Sequence, residues 1–498
     1  MDTLLAALAN WKGFHALVIG DFMLDELLFG DAERLSADAP VPVLHVRRRE
    51  HRPGGSANVC MDLAALRGKV TALGVVGDDE AGGRLREALA ANDVNASHLT
   101  TDASRPTTRK LNLIGLAQAR HPQKMFRVDF ESSEPITGEV EARLLASFEK
   151  LLPSADVVCI EDYNKGVCSA ALCAGVIEMA HRAGKPVMVD PARLASYAKY
   201  RGATAITPNR TEAEVATAMK TGTDGSAEHN AELGRRLMAQ LDLEACVLTL
   251  DKQGALLLER GEEPLAVPTA ARQVYDVTGA GDMFLAGLTA ARANGCTWAD
   301  SVRFANAAAG LEVEIFGVEP IPLERVHHEV LLRSREDRGK IRTPDEAALE
   351  IAAIRSTGRP IVFTNGCFDI LHRGHVTLLE KAREAGGKNA FLVVGVNDDA
   401  SVRRLKGESR PVNTQEDRAR VLGALESVGA VVFFGKASDD TPLELIRVLR
   451  PDVLVKGADY TKDKVVGAEF VESIGGRVAL VDLVPGKSTT GTIAKMRG

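Results

Sequence analysis

Short apolar runs ending in glycine or aspartate recur along this chain, with helical stretches between them. ALVIGD (16–21), DVVCIED (156–162), PVMVD (186–190) and ACVLTLD (245–251) are such runs. Between them, ANVCMDLAALRG (57–68) and SAALCAGVIEMAHRAG (169–184) space their apolar residues at a helical period. Apolar strands alternating with helices predict a mainly parallel sheet with helices on both faces. Sheets of this kind bind ligands beyond the carboxyl ends of their strands, where these runs place their polar residues.

The alternation pauses once. After residue 320 the segment PIPLERVHHEVLLRSREDRGKIRTPDEAALEIAAIRSTGRP carries a dense charge run, RSREDRGK, with prolines on either side. Its middle reads as an exposed linker, and its end as a helix capped by Thr343, Pro344, Asp345 and Glu346. A second series opens with PIVFTNG at 360 and continues through AFLVVGVN (390–397), AVVFFG (430–435) and DVLVKG (452–457). At 498 residues the chain is too long for one core. The expected organisation is an α/β domain at 1–328, a charged linker and helix at 329–359, and a second α/β domain at 360–498.

Charge and composition narrow the function classes. Lysine and arginine total 61 against 68 acidic residues, a net charge of −7 with the signs mixed, and aromatics are 4%. Neither a basic surface nor a base-stacking platform is indicated, so a nucleic-acid partner is not expected. The seven cysteines (60, 159, 168, 173, 246, 296, 367) are odd in number and form no C-x-x-C pair. That supports neither a disulfide framework nor a zinc site. The N-terminus lacks a basic segment and cleavage site, and no run nears the ~20 apolar residues of a membrane span. The expectation is a cytoplasmic enzyme.

Two stretches carry the chemistry. In DVTGAGDMFLAGL, Gly279, Ala280 and Gly281 leave backbone N–H groups open at a helix start, where the dipole also favours an anion. Asp282 stands among those donors, placed to take a hydroxyl proton as a phosphoryl group arrives. Alone, the motif reads more readily as an acidic first turn on a glycine-rich bend. Three other elements add context: the loop HRPGGSANVCMDLAAL with Gly54, Gly55 and Asn58; Asp25 in GDFMLDELLFG; and Asn209 with Glu212 in TPNRTEAEVA.

Together these four elements resemble the ribokinase-like (PfkB) carbohydrate kinases over nearly all of 10–320. The resemblance implies a three-layer α/β/α domain with a small β lid. It makes Asp282 the catalytic base and Gly279, Ala280 and Gly281 the holders of the transferred phosphate. Asp25, Gly54, Gly55 and Asn58 become the sugar ligands. Asn209 and Glu212 order Mg²⁺ and the ATP phosphates, with Glu212 acting on the metal indirectly. Asn306, in FANAAAG, falls near the nucleotide, although a cap or helix-face role is open for Asn58 and Asn306. Arg105, Arg109, Lys110, Lys124 and Arg127 cluster in or near the lid, where they suit a phosphorylated sugar or form a solvated charged face. One departure stands out: relatives acting on a phosphorylated heptose tend to show DPK where this chain reads DPARLAS, with Ala192 in the lysine position and Arg193 beside it.

The second stretch is FTNGCFDILHRGHVTLLEKAREAG, which puts His372 and His375 on one face of a helix start. Gly374 between them admits a phosphate, and two imidazoles there can stabilise charge as pyrophosphate leaves. A metal pair or buried structural histidines are the alternatives, though no third metal ligand accompanies them. GKST at 486–489 imitates a Walker A ending, but its first glycine position is Val481. The run resembles the cytidylyltransferase-like nucleotidyltransferases, a Rossmann-like H-x-G-H α/β fold, over 360–498. The resemblance gives nucleotide-binding roles to Thr364, Asn365, Lys406 and Arg410, and to Ser488, Thr489 and Thr490 in KSTTGTI. It also places KGADY (456–460) in the same cleft.

A PfkB kinase fused upstream of an H-x-G-H transferase resembles the bifunctional heptose-phosphate kinase/adenylyltransferases. That implies two ATP-using sites acting on small sugar phosphates, with Mg²⁺ at the first. The first would phosphorylate O1 of D-glycero-β-D-manno-heptose 7-phosphate. After a separate phosphatase removes the 7-phosphate, the second would join heptose 1-phosphate to AMP, giving ADP-heptose for the lipopolysaccharide core. Another sugar phosphate, CTP as donor, or a regulatory protein with one inactive domain are the competing readings. The family also implies a homodimer formed through the lids, and the charged linker suggests independent domains.

Overall fold

The computed structural model describes residues 2–116, 122–220, 225–269, 276–315, 317–435, 439–458 and 461–482. Two compact units result, one of Asn10–Val326 and one of His327–Gly498 together with Met1–Ala9.

The first unit is built on a ten-stranded sheet. Its parallel centre runs Gly68–Val76, Phe14–Gly20, Val157–Glu161, Val187–Asp190, Ala205–Ile206 and Ala245–Thr249. Ala255–Glu259 and Leu265–Val267 complete one edge antiparallel. Phe14–Gly20 is buried along its whole length, as expected of a central parallel strand covered on both faces. The register sets Gly20 opposite Glu161, and Glu161 opposite Asp190, so the carboxyl ends of three strands finish in one row. Beside this sheet lies the expected lid, a four-stranded sheet ordered Pro42–Gly55, Phe22–Leu35, Thr108–Gly115, Gln123–Phe130. Asp25 is registered against Arg52 on one side and Lys110 on the other.

The second unit has a six-stranded, all-parallel sheet. Its order is Ile341–Arg342, Ala430–Phe434, Phe391–Asn397, Ile361–Gly366, Val453–Gly457, Arg477–Val481. Phe363, Val393, Val432 and Leu454 form its core with Ile351 and Ile354 of the helix Pro344–Ser356.

The segment expected to be an exposed linker is structured instead. A helix spans Leu323–Arg338, and Ile341–Arg342 joins the sheet beside Ala430–Phe434. The reason is that apolar residues flank the charge run: Val326, Val330 and Leu331 are buried, and Arg333 pairs with Glu329 one turn away. Arg342 is also buried, where its guanidinium meets Glu350 at 3.0 Å. The unit boundary therefore falls at 326/327, and the helix Asp2–Ala9 belongs with the second unit, whereas the sequence placed residues 1–9 in the front domain. The helix Pro344–Ser356 has the expected cap, with Thr343 Oγ1 accepting from Glu346 N and Glu346 accepting from Thr343 N. Replacing Thr343 by alanine is expected to destabilise the second unit by about 1 kcal/mol, read as a lower denaturant midpoint of its unfolding transition.

Candidate active sites

In the first unit the glycine turn enters the helix Ala280–Ala293 with Gly279 at its N-cap and φ 89°. Only glycine adopts that conformation at little cost, and no side chain caps the helix start that follows. Asp282 lies in the first turn and is 6% exposed. Each of its oxygens is held: Tyr163 donates its hydroxyl to Oδ1 at 2.7 Å, and Asn58 Nδ2 donates to Oδ2 at 2.9 Å. Burial pushes the Asp282 carboxyl up to about 6 despite these two donors and the Lys110 charge, which all favour the ionised form.

Tyr163 is a residue that sequence reasoning missed. Asp21 places it: its carboxylate accepts from the backbone N–H groups of Tyr163, Lys165 and Val167 at 2.9, 2.9 and 3.2 Å. Both follow directly after apolar runs, ALVIGD and DVVCIED, and that strand-end position is the signal that could have found them.

The predicted sugar ligands converge. Asp25 Oδ2 would be 2.7 Å from a Cβ on Gly54, so a side chain there would displace it. Gly55, at φ 56°, starts the helix that carries Asn58. Asp25 lines a cavity of 140 Å³ with Arg48, Arg52, Asn112, Lys124 and Thr278. Burial raises its pKa, while Lys110, Arg127 and Lys124 oppose the rise.

The five lid cations divide. Lys110, Lys124 and Arg127 line a cleft with Asp25. Arg109 is engaged by the buried Glu26 and stacks 4.1 Å over Phe130. Arg105 donates to the backbone carbonyls of Ser132, Glu134 and Lys165, so it is part of the scaffold. Arg48 and Arg52, unforeseen, line the adjoining cavity that shares Asp25 and Lys124 with this cleft. In the DPARLAS loop Ala192 is buried against the Tyr200 hydroxyl, and Arg193 lies close enough to Glu212 to favour its ionised form.

Asn209 and Glu212 form a reciprocal capping box on the helix Arg210–Thr217, at 3.0 and 2.9 Å. Asn306 donates to the Pro268 carbonyl at 2.5 Å. Both arrangements are structural in themselves, and the capping box leaves Glu212 near Asp190, whose pKa its charge raises. For a cation the strand register supplies more: one oxygen each of Glu161, Asp190 and Asp282 lie within 4.8 Å of one another. Asp282 is engaged by Tyr163 and Asn58, whereas Glu161 Oε2 is buried with no hydrogen-bond partner among the described residues. Hard carboxylate oxygens of this kind fit Mg²⁺.

In the second unit the strand Ile361–Gly366 turns through Phe368, at φ 47°, into the helix Arg373–Ala385 with His372 at its N-cap. The rings of His372 and His375 stack at 3.8 Å, with Phe368 edge-on to His375 at 5.2 Å. Burial, and then the neighbouring His372, lower His375 to about 4, so that imidazole is neutral near pH 7. Thr364 Oγ1 and Asn365 Oδ1 are buried and have no partner among the described residues. Lys456 donates to the Asn365 carbonyl at 3.1 Å, bringing the first residue of KGADY to this strand end.

Arg410 pairs with Asp369, a buried acid that also accepts from Val412 N and Asn413 N at 2.7 and 3.1 Å. Asp369 thereby fixes the basic loop to the histidine turn, a role that the FD dipeptide alone did not disclose. Lys406 ends the helix Asp399–Lys406, and its charge reaches Cys367 in the histidine turn. Ser488, Thr489, Thr490 and the Asp459–Tyr460 part of KGADY lie outside the described residues.

Comparison with known proteins places both units. The family model for pfkB family carbohydrate kinases matches residues 15–324, and the cytidylyltransferase-like model matches 363–490. Ribokinase from Arabidopsis thaliana, solved with ribose and ATP, superposes on 64% of this chain and 99% of its own at a TM-score of 0.50 and 20% identity. Phosphofructokinase-2 from Escherichia coli does so over 65% and 100% at 0.53 and 17%, so these two share the fold. Across both units, the bifunctional protein HldE of Geobacter sulfurreducens is 45% identical over 98% of this chain and 96% of its own length. That of Pelobacter propionicus is 43% identical over 97% and 96%. The chain is thus a bifunctional transferase, a sugar kinase joined to an adenylyltransferase, and it belongs to the PfkB carbohydrate kinases and to the family of bifunctional HldE proteins.

Proposed function

We propose how the two sites divide the work of this enzyme, a heptose 7-phosphate kinase and heptose 1-phosphate adenylyltransferase of ADP-heptose synthesis. In the kinase, O1 of D-glycero-β-D-manno-heptose 7-phosphate attacks the γ-phosphorus of ATP, and Asp282 takes the hydroxyl proton. The products are the 1,7-bisphosphate and ADP. Backbone N–H groups at Gly279 to Gly281 receive the transferred phosphoryl group. Asp25 and Asn58 orient the sugar, and Lys110, Lys124, Arg127, Arg48 and Arg52 receive its 7-phosphate. Glu161 and Asp190 would hold Mg²⁺, with Glu212 acting on it indirectly, and the ion would neutralise charge on the ATP phosphates. The observation that carries this reading is the buried Asp282, held at both oxygens beside an open helix start.

In the transferase, a phosphate oxygen of heptose 1-phosphate attacks the α-phosphorus of ATP, and pyrophosphate leaves. His372 and His375 donate to the phosphate oxygens as charge develops. Arg410 and Lys406 hold the triphosphate, with Thr364 and Asn365 at the strand end and Ser488, Thr489 and Thr490 closing the site. Both reactions take place in the cytoplasm, where ATP is supplied; no helix among the described residues is long and apolar enough to cross a membrane. The lid's edge strands expose Val46, Met125 and Phe126, which suits a homodimer; a monomer mass in sedimentation would overturn that assignment.

Asp282→Asn is expected to lower kinase turnover by about 10³-fold and leave adenylyl transfer intact. His375→Ala is expected to do the reverse, by about 10²-fold or more. Survival of both activities in both variants would overturn the roles, and a preference for CTP over ATP would overturn the donor. The kinase base must be ionised, so kcat/KM should rise with pH as Asp282 loses its proton near pH 6. Tyr163→Phe removes a donor to the carboxylate and should move that limb to higher pH, whereas a limb set by the sugar phosphate would stay in place.

A further inference from the structure

Beneath Asp282 lies another acid that the reaction as described does not use. Asp62 follows Asn58 by one turn on the helix Ser56–Ala65 and is fully buried. Residues four apart share a helix face, and the Asn58 amide nitrogen stands 3.4 Å from Asp62 Oδ2 as well as 2.9 Å from Asp282 Oδ2. One NH₂ group therefore spans two carboxyls. With its nitrogen inward the amide supplies a hydrogen to each, while with its oxygen inward it would set a lone pair against the Asp282 carboxylate and could be met only by a proton on Asp62 Oδ2. In a buried network the second arrangement leaves Asp282 Oδ2 without its Asn58 donor.

Asp62 is also placed to stay neutral. Its Oδ1 has no hydrogen-bond partner among the described residues, and neither does either oxygen of Glu312, a fully buried acid ending the helix Trp298–Glu312. Burial first, and then the charges of Glu312 and Asp282, push the Asp62 carboxyl well above the usual range. Glu312 itself is pushed up to about 8 by burial, with Asp282 and Asp276 adding to the rise. Its Oε1 stands 2.6 Å from where a Cβ on Gly279 would be, directly behind the phosphate turn. A proton on each acid keeps uncompensated charge out of that space.

We infer that Asp62 is a positioning residue of the kinase, which holds the Asn58 amide with its nitrogen toward Asp282 and so sets the plane of the base. This rests on Asp282 being the base. Asparagine at 62 has the shape of the protonated acid and keeps an oxygen for Asn58, whereas leucine keeps the volume and removes the acceptor.

The test measures both activities of the full-length enzyme, adenylyl transfer reporting on its fold. Asp62→Leu should lower kinase kcat by at least about tenfold, the worth of one buried hydrogen bond, with the KM for ATP and for sugar phosphate little changed. Asp62→Asn should restore kcat to within about threefold of the parent, with the acid limb of the pH profile shifted by less than about half a unit. An Asp62→Leu enzyme with parental kcat would overturn the inference, as would an Asp62→Asn enzyme impaired as severely as the leucine variant. So would a larger shift of the Asp62→Asn acid limb, since it would mean that Asp62 carries charge. Asp62→Asn opens no cavity and adds no charge, so it decides the matter even where Asp62→Leu does not fold. Kinase turnover surviving Asp282→Asn would instead remove the base assignment, a separate failure.

Discussion

The kinase unit depends on the end of its central strand. Gly20 ends Phe14–Gly20, and a Cβ on it would stand 1.9 Å from the Glu161 carbonyl. Without that side chain the two parallel strands keep their register, and Asp21 N reaches the Glu161 carbonyl at 3.1 Å. Asp21 then receives three loop N–H groups on its carboxylate, while its own carbonyl accepts from Ser56 N at 3.2 Å. A single buried residue thus ties the first strand, the Tyr163 loop and the start of the Asn58 helix together. Losing any one of those buried bonds costs about 1–3 kcal/mol, so the loop and helix that bracket Asp282 stand or fall with this strand end.

Around that frame the unit concentrates carboxyl groups that water would normally separate. Glu161, Asp190, Asp62 and Glu312 all have raised pKa values, with burial the main cause in each. For Asp282 the rise from 3.8 to about 6 corresponds to about 3 kcal/mol in favour of the neutral form. Desolvation outweighs two hydrogen bonds and a nearby lysine, leaving a carboxylate that is ionised at neutral pH yet more basic than an ordinary one, as the proposed base role requires. The transferase tunes its imidazole the opposite way, since burial beside a second ring keeps His375 neutral. A neutral ring can donate a hydrogen bond to a phosphate without requiring a buried charge before ATP arrives.

Much of this was legible in the residues, and the limits have physical reasons. The strand and helix alternation, the turn at Gly279–Gly281, the H-x-G-H helix start and the Thr343 cap are local patterns, each complete within a few residues. The charge run at 333–340 misled because a linker was inferred from charge alone, whereas the helix Leu323–Arg338 runs into it. The buried Val330 and Leu331 that precede it, and the buried Arg342–Glu350 pair that follows, belong to the second unit. Arg105 misled for a related reason: its guanidinium meets carbonyls 27 to 60 residues away, which no spacing rule reveals.

By itself the sequence determined the two α/β units and the two motifs on which the roles proposed for Asp282, His372 and His375 rest, because each needs only its neighbours along the chain. Tertiary structure decided what holds those groups. Tyr163 and Asn58 meet Asp282 across 119 and 224 residues. Asp62 lies behind them, Glu161 and Asp190 align only through parallel register, and Asp369 reaches Arg410 across 41. Such contacts arise where the ends of separate strands come together, so they exist only once the sheets have formed.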